Sequence, residues 1–454
     1  MRPPTGLVVL GRYGWGAMER RMPWVVGILT AVVYAALSIL RFRRFTVTSW
    51  DNAIFEQAVA AYSRFEAPIV PVKGPGYHIL GDHFSPIYAV LGPVYRVFPY
   101  AQTLLVAQAV LIAISAGLIT ALGTRYLGGV VGSIVGLLYA GSFGVQSAVV
   151  ADFHEVAFAL PFLALAGAAF VEARYSRVLL WSLPLLLVKE DMGFTVAAIG
   201  VALWLAGERR RGLALAIAGV VAVGVVVGLV IPHFNSGDTY DYTGALGGES
   251  GVLATLAAEP QRKLLTLALT FAITGVAALL SPWAVVTVPT FAWRFVGDNP
   301  YYWGTEWHYS LVLMPIAFVA MIDVLARRRR LIWPATVAAV VVTAVTFVDS
   351  PLTTLAKAET WQESPRAGAA EGAMEHVPDG AYVESDLGLL THLVTDHHVY
   401  WRGTVGDAVP DYIVFDAMYS EDDVVEYGRR THGTTYTVIF DEGGYVVARR
   451  GGAG

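Results

Sequence analysis

The chain consists largely of apolar segments about as long as a bilayer is thick, and this pattern limits its fold more than any other feature. A helix needs roughly 20 apolar residues to cross a membrane. Only 15% of the 454 residues are charged, against about 25% in typical soluble domains. We therefore predict a polytopic α-helical membrane protein, whose roughly eleven transmembrane segments lie near residues 24–40, 101–122, 129–149, 155–172, 178–188, 192–206, 212–231, 264–280, 283–296, 309–326 and 331–348.

The basic residues predict how these segments are oriented, because Lys and Arg concentrate in cytoplasmic loops. With the N-terminus inside, the basic loops that become cytoplasmic are Arg125, Arg174 with Arg177, Arg209 to Arg211, and Arg327 to Arg330. The exception is the cluster of Arg41, Arg43 and Arg44, which this orientation places outside. An odd number of segments also places the C-terminal part outside.

The C-terminal part differs from the rest in charge. Residues 351–454 contain 7 Lys and Arg against 17 Asp and Glu, a net charge of −10, whereas the first 350 residues carry +5. We assign residues 1–349 to a transmembrane domain with a long first external loop (45–100), and residues 350–454 to an acidic, external α/β domain. Its predicted elements are strands at 381–383, 399–401 and 411–415, a helix at 387–394, and a hairpin of 436–440 with 445–448.

Several polar clusters come to the external side in this orientation. Charged groups at membrane depth are costly unless they are used or paired, so their shared side predicts one outward-facing site with Asp51 at its centre. The other candidates are Glu56; His78, Asp82 and His83; Asp152, His154 and Glu155; Lys189, Glu190 and Asp191; and Arg294, Glu306, Trp307 and His308. The chain has no cysteine, which excludes disulfides, thiolate metal sites and cysteine nucleophiles.

Asp51 has two interpretations. It could cap a helix that begins at Asn52, or it could accept a proton from a substrate hydroxyl group as a general base. Glu56 is not its acid–base partner, because five residues along a helix turn the side chain by about 140°.

The cluster around His154 also has two interpretations. Asp152 and Glu155 fit a capping box, with Asp152 as the N-cap. His154 would then lie at a helix N-terminus, which is a favourable place to meet an anion.

A metal site is a further candidate at the external side. His78, Asp82 and His83 could ligate a divalent cation if Asp152 or His154 completed the shell. Ordinary hydrogen bonding to the backbone explains the same residues equally well.

The remaining two clusters suit a phosphorylated sugar. Lys189 beside two carboxylates, Glu190 and Asp191, could hold a phosphate in a hydrated cleft, or could be an interfacial turn. Aromatic residues mixed with acids and imidazoles suit a sugar, although aromatic belts are also usual at membrane interfaces. This second cluster comprises Arg294, Glu306, Trp307 and His308 among aromatic neighbours.

An ordered set of motifs resembles a known family. The motifs are Asp51 to Gln57, Gly81 to Pro86, Phe153 to Glu155, Leu187 to Asp191, Val377 to Ala381 and Asp411 to Val414. Over roughly residues 20–440 they resemble a prokaryotic family of membrane proteins, the domain of unknown function 2079. That family is similar to the GT-C glycosyltransferases, which combine a multi-helix body, an acidic residue after the first span and often an external soluble domain. Many of those relatives have an acidic pair where this chain has Asp51 alone. This difference leaves open whether the site uses a divalent metal.

The resemblance implies an inverting glycosyltransferase of the plasma membrane. It would transfer a sugar from a polyprenyl-phosphate donor to an envelope glycan, lipid or protein acceptor, and no nucleic-acid partner is expected. Asp51 would act as the general base, and the leaving phosphate would be stabilised by Lys189, His154, His308 and Arg294. The rival hypotheses are a transporter or flippase of a lipid-linked envelope component, and a non-catalytic scaffold whose acidic tail binds a partner.

Overall fold

A computed structural model describes residues 17–46, 50–245, 247–249 and 251–451. These residues form a helical body up to Phe347 and a C-terminal domain built on a five-stranded sheet. The predicted domains include residues 1–16 and 452–454, and the predicted external loop includes residues 47–49, all of which lie outside the described residues.

Helices make up most of the described chain. The α-helices are α1 (Ala17–Arg43), α2 (Asp51–Ser63), α3 (Gly92–Val97), α4 (Ala101–Leu127), α5 (Gly129–Ala140), α6 (Phe143–Val150), α7 (Ala159–Val171), α8 (Tyr175–Ser182), α9 (Met192–Leu205), α10 (Arg209–Val225), α11 (Ile231–Phe234), α12 (Val252–Ala257), α13 (Pro260–Ala272), α14 (Val288–Val296), α15 (Pro300–Trp303), α16 (Leu313–Arg327), α17 (Ile332–Phe347), α18 (Ala367–Glu375), α19 (Leu390–Leu393) and α20 (Val424–His432). Short 3-10 turns at Pro71–Lys73, Pro86–Leu91, Glu155–Phe158, Leu183–Leu187, Ala277–Leu280 and Pro282–Thr287, and a π-helical segment at Val226–Val230, adjoin them.

Six helical segments of the described chain are long and apolar enough to cross a membrane. They are Glu19–Arg43, Ala101–Leu127, Gly129–Val150, Arg209–Phe234, His308–Arg327 and Arg329–Phe347. Shorter apolar helical segments are Glu155–Val171, Tyr175–Leu187 and Met192–Leu205. In the most apolar stretch of His308–Arg327, 89% of the residues are buried, against 17% in Arg209–Phe234. The former is therefore the centre of the body, and the latter presents an apolar surface that suits lipid.

The eighth and ninth predicted segments form a helical hairpin over residues 260–296. Between α13 and the following 3-10 turn, Gly275 has a φ of +57°, and a Cβ there would lie 2.2 Å from the carbonyl oxygen of Ala335. Only glycine fits this close approach. The Ser281 hydroxyl donates a hydrogen bond to Asp323 near the C-terminal end of α16, so the turn of the hairpin lies at that end of the body.

The segment predicted as the first external loop differs from its prediction in one respect. Residues 84–98 suggest an interfacial helix anchored by Tyr88, Tyr95 and Arg96, but the structure has a 3-10 turn followed by α3. Tyr88 and Tyr95 are buried rather than at an interface. The Tyr95 hydroxyl donates to Glu56, 2.8 Å away, so this segment packs on α2.

The C-terminal domain is a mixed sheet with strands β1 (Tyr382–Ser385), β2 (His398–Trp401), β3 (Tyr412–Asp416), β4 (Tyr436–Glu442) and β5 (Tyr445–Arg450). Their order is β2-β1-β3-β5-β4, with β1 parallel to β2 and β3, and with β5 antiparallel to β3 and β4. The predicted strands and hairpin are present. The predicted helix at 387–394 is only the single turn α19, and α18 and α20 were not predicted.

The C-terminal domain contacts the end of the body that carries α2. The Gln57 amide donates to the Val399 carbonyl oxygen at 2.9 Å, and His392 stacks on the Phe42 ring, 4.0 Å between centroids. Arg44 donates to two carbonyl oxygens of the segment that leads into the domain, those of Glu359 and Gln362. Arg44, the member of the exceptional basic cluster that follows α1, therefore has a structural use that is independent of membrane orientation.

Candidate active site

A cavity of about 520 Å³ lies at the same end of the body. The sequence-predicted site residues that line it are Asp51, Asp82, His83, His154, Glu155, Lys189, Glu190, Asp191 and His308. These residues span 258 positions of the chain, from the start of α2 to the start of α16, yet they face one space. Side chains that are far apart in sequence and individually costly to bury thus share one enclosure.

Asp51 begins α2, with Trp50 in the N-cap position, so the predicted helix start at Asn52 is one residue late. The Asp51 carboxylate oxygen lies 3.4 Å from Nε2 of His154. The ring of His154 stacks on that of His308, with 3.5 Å between centroids. Burial lowers the pKa of His154, but the carboxylate of Asp51 outweighs this and raises it. An acid and two imidazoles are therefore lined up on one wall of the cavity.

His154 is held by the body behind it. Its backbone N–H donates to the Gln108 side chain at 2.9 Å, and the Gln108 amide donates to the Asp152 carbonyl oxygen at 2.8 Å. Asp152 has a φ of +69° and does not cap a helix, and the 3-10 turn begins at Glu155 itself. The predicted capping box is therefore wrong, because Glu155 pairs across the cavity with Lys189 instead.

The Lys189 ammonium is 2.9 Å from a carboxylate oxygen of Glu155. Burial lowers the pKa of Lys189, but the carboxylates of Glu155, Glu190 and Asp191 hold it well above its usual value. Burial raises the pKa of Asp191 to about 6 despite the charge of Lys189. Lys189 thus remains charged although most of its side chain is buried.

Glu190 makes the densest set of contacts in the cavity. One of its oxygens lies 2.7 Å from Nδ1 of His83, and the other accepts from the Phe84 backbone N–H at 3.1 Å. The Tyr240 hydroxyl is 3.3 Å from the first oxygen. Burial would raise the pKa of Glu190, but His83 and Lys189 together lower it to about 2. Glu190 is therefore an anion that fixes His83.

The predicted metal ligands do not come together. His78 stacks on Phe234, and its Nδ1 accepts from a backbone N–H. Asp82 pairs with Lys73 at 3.1 Å and accepts from the Tyr242 hydroxyl at 2.9 Å. Within the ranges that the structure describes, no group of three His, Asp or Glu side chains is placed to hold a metal ion. The prediction that His78, Asp82, His83 and Asp152 form a metal site is therefore wrong, because each of these residues has another partner or faces elsewhere.

Four predicted substrate-binding residues do not line the cavity. Glu56 is buried between α2 and the C-terminal domain, where it accepts from the Thr395 hydroxyl at 2.7 Å. Glu306 pairs with Arg262 on the exposed side of its loop, and Trp307 packs edge-on against Tyr301. The fourth residue, Arg294, is treated next.

Arg294 is completely buried and clamps the loop that precedes α16. Its Nε donates to the Tyr302 carbonyl oxygen at 2.6 Å, and its terminal nitrogens donate to Ser310 and to the Gly304 and Tyr309 carbonyl oxygens. The guanidinium group thus makes four hydrogen bonds within the loop and does not line the cavity. It positions His308 and Tyr309, which do line the cavity.

Several residues that line the cavity were not predicted from the sequence. Lys73, Tyr240 and Tyr242 lie in segments that carry no motif. The carboxylate that Tyr240 contacts is 50 positions away and the one that Tyr242 contacts is 160 positions away, while Lys73 pairs with Asp82 on the same segment between α2 and α4. Trp50 directly precedes Asp51 in the sequence, so it was the easiest of these cavity residues to predict. The apolar wall comprises Phe194, Val223 and Val227, from α9 and the end of α10.

The cavity therefore has two chemically different sides. Acids, imidazoles and lysines occupy one side, and side chains of the membrane-length segment Arg209–Phe234 and of the shorter apolar helix α9 form the other. Such a space suits an amphipathic substrate whose charged group meets the polar side and whose hydrocarbon lies along the helices. The π-helical turn at Val226–Val230 contributes Val227 to this wall, and such turns are frequent at functional sites.

Comparison with known proteins identifies a family. The sequence model of the family described as "Predicted membrane protein (DUF2079)" matches residues 41–433. These residues include every cavity residue named above and the C-terminal domain as far as α20, but not β4 and β5. A search of curated proteins gives no match.

Proposed function

The chain belongs to the DUF2079 family of predicted membrane proteins, and from that premise we propose that it is an integral-membrane, inverting glycosyltransferase of the GT-C type. Its donor is a polyprenyl-phosphate sugar, and its acceptor is an envelope glycan, lipid or protein. The observation that carries the proposal is that Asp51, two stacked imidazoles and the Lys189–Glu155 pair face one cavity with an apolar wall.

The proposed reaction uses Asp51 as the general base. The acceptor hydroxyl gives its proton to the Asp51 carboxylate as its oxygen attacks the anomeric carbon from the face opposite the phosphate. The bond from that carbon to the phosphate oxygen breaks, and the phosphate keeps the electron pair. His154, 3.4 Å from Asp51, orients the carboxylate and stabilises its charge before the proton is transferred.

The leaving phosphate needs positive charge and hydrogen-bond donors in a site shielded from water. Lys189 supplies a permanent charge there, and His308 supplies a ring N–H group. The ring nitrogens of His154 face Asp51 and the Asp152 carbonyl oxygen, so His154 acts on the base and not on the phosphate. Nδ1 of His308 has no hydrogen-bond partner among the described residues. Arg294 does not stabilise the phosphate in this proposal, since its N–H groups donate to the loop that precedes α16. The isoprenoid tail lies along Phe194, Val223 and Val227 and leaves the cavity sideways into lipid.

The proposal also specifies a topology. All eleven predicted segments cross the membrane, the three shorter apolar helices and the hairpin of residues 260–296 included. Arg125 and Arg174 both pair with Glu172, and Arg329 donates to the Tyr126 carbonyl oxygen. The basic loops thus meet at the end opposite the cavity, which supports a cytoplasmic position for them. The cavity and the C-terminal domain then face outward from the plasma membrane.

Replacing Asp51 tests the function. We expect Asp51→Asn to lower sugar transfer at least about a hundredfold, because a general base contributes roughly 10²–10⁴ in rate. The protein is reconstituted in nanodiscs with polyprenyl-phosphate mannose or glucose labelled in the sugar, and release of label from the lipid is counted. Glu66→Gln is the matched control, since Glu66 is an exposed acid that pairs with Arg64.

Three outcomes are decisive. Loss of label release in Asp51→Asn with unchanged thermal unfolding supports the function, provided that Glu66→Gln retains it. Equal release in wild type and Asp51→Asn removes Asp51 from the base role. Movement of the labelled lipid between leaflets without release of its sugar supports the transport hypothesis instead.

A further inference from the structure

The outer mouth of the cavity is built jointly by the first external segment and the C-terminal domain. Trp50 and Lys73 line the cavity, and the Lys73 ammonium is 5.2 Å from the centre of the Trp50 ring. The ring of Trp401, from the end of β2, meets the Trp50 ring edge-on at 4.4 Å between centroids. Tyr77 lies on the other side of Lys73, at 5.4 Å.

The C-terminal domain is fixed to this mouth by hydrogen bonds. The Thr404 hydroxyl donates to the Val72 carbonyl oxygen at 3.0 Å. Gln57 on α2 accepts from the Val72 backbone N–H and donates to the Val399 carbonyl oxygen, both at 2.9 Å. One side chain on the helix that begins with Asp51 therefore holds both the segment that carries Lys73 and the edge strand β2.

We infer that this mouth is an acceptor subsite for an uncharged sugar ring, formed by Trp50 and Lys73 and completed by the C-terminal domain through Trp401. The inference rests on the proposed function and specifies its acceptor. A water-borne acceptor reaches the cavity here, because the apolar wall belongs to the membrane-length segment Arg209–Phe234 and to the apolar helix α9. A ring lying against Trp50 is one residue from Asp51, which places its hydroxyl groups near the general base.

The chemistry of the mouth favours a neutral saccharide over an anion. Aromatic faces bind the apolar faces of sugar rings, and polar groups beside them bind the hydroxyls. The charge of Lys73 is already balanced by Asp82 at 3.1 Å, so the pair offers donors and acceptors without net charge. A carboxylate or phosphate acceptor would gain little there.

Trp401 does not line the cavity, so it acts as a positioning residue that sets the ring plane of Trp50. Its removal should weaken binding of the acceptor more than it slows the chemical step. An aromatic pair is worth about 0.5–1.5 kcal/mol, which corresponds to a rise in KM of roughly 3- to 10-fold.

The test measures transfer of labelled sugar from the polyprenyl-phosphate donor to methyl α-mannoside, methyl β-glucoside and methyl β-galactoside. Wild type, Trp401→Ala, Trp401→Phe and Trp361→Ala are compared. Trp361 is the matched control, since it is an exposed tryptophan of the segment leading into the C-terminal domain. We expect Trp401→Ala to raise the KM for the accepting glycoside more than it lowers kcat, Trp401→Phe to restore most of the loss, and Trp361→Ala to match wild type.

The failures are distinguishable. If wild type releases no sugar from the donor, the proposed function fails and this inference falls with it. If wild type releases sugar but labels none of the glycosides, the function stands and the neutral-sugar subsite is overturned. An unchanged glycoside KM in Trp401→Ala overturns the role of the C-terminal domain.

Discussion

Glu56 is a buried carboxyl group at the boundary between the helical body and the C-terminal domain. One of its oxygens accepts from the hydroxyls of Tyr95 and Thr395, at 2.8 and 2.7 Å. The other has no hydrogen-bond partner in the part of the chain that the structure describes. Burial raises the pKa of Glu56 to about 7, although the two hydroxyls act in the opposite direction. Near neutral pH this contact is therefore half protonated.

We predict that attachment of the C-terminal domain weakens as pH rises. The pKa of Glu56 is higher in the folded protein than its ordinary value of 4.5, so the folded state binds the proton more tightly. The stabilisation that protonated Glu56 contributes to the folded state is fully present below pH 4.5 and is lost as pH rises through 7. Glu56→Gln, which stays neutral, should gain stability relative to wild type at pH 8 but not at pH 4.5, by at most on the order of 3 kcal/mol. Thermal unfolding of both proteins at the two pH values measures this.

The comparison again uses Glu66→Gln as the control, because that acid is exposed and pairs with Arg64. A stability difference between Glu56→Gln and wild type that is the same at both pH values would contradict the prediction. Such a result would mean that the Glu56 carboxyl does not change protonation between them.

The sequence shows which charged side chains are costly to bury, but it does not show which partners they have. Asp51, His154 and Lys189 were predictable, because charged groups beside apolar segments demand an explanation. Glu56 and Arg294 satisfy the same criterion, yet their partners are Thr395 and a set of backbone carbonyls. Only three-dimensional contacts distinguish a buried structural ion from one that faces a cavity.

Arg294 shows how a helix outside the cavity supports a loop of the site. It lies on α14, and its hydrogen bonds hold the residues between α15 and α16 in place. The same loop carries His308, whose ring stacks on His154. The loop contains several carbonyl oxygens that would be buried without a partner if this guanidinium group were absent.

We predict that Arg294→Lys destabilises the protein by a few kcal/mol and lowers transfer. A lysine ammonium cannot reach four acceptors arranged around a planar fork, and each buried acceptor left unpaired costs roughly 1–3 kcal/mol. Hydrogen exchange of residues 302–310 and thermal unfolding measure the effect. Arg262→Lys is the matched control, since Arg262 forms only exposed ion pairs, which are worth about 0–1 kcal/mol. Equal unfolding temperatures and equal exchange in the two variants would refute the clamp.

The elements themselves were predictable to different degrees. Long apolar helices and the alternating strands of the C-terminal domain follow from periodicity, and the structure has them. Helix α20 was missed although Asp423 caps it through two backbone N–H groups and Gly433 ends it with a φ of +65°. Those two residues were a usable signal. Helix α18 is rich in Ala and Gly and offered no comparable one.

For the whole molecule, the central question is how the segments cross the membrane. The outer surface of Arg209–Phe234 and Arg329–Phe347 is apolar, whereas His308–Arg327 is enclosed on all sides. The hairpin of residues 260–296 has its turn near Asp323, at the same end as the basic loops. Length alone does not reveal this, because each half of the hairpin is short and contains a 3-10 turn.

The absence of native cysteine makes single-cysteine labelling a clean test of that topology. We predict that Glu66→Cys and Glu371→Cys react with a membrane-impermeant maleimide in right-side-out vesicles. Arg328→Cys and Leu279→Cys should react only after permeabilisation. All four positions are exposed at the protein surface, so burial inside the protein does not explain a missing reaction.

Each label tests a separate part of the arrangement, and denatured samples confirm that every thiol can react. External labelling of Arg328→Cys would invert the orientation derived from the basic loops. External labelling of Leu279→Cys alone would mean that the hairpin does not carry its turn to the cytoplasmic side. Protection of Glu371→Cys would place the C-terminal domain inside. The cavity would then face the cytosol with it, since Gln57 and Thr404 bind that domain to the cavity mouth.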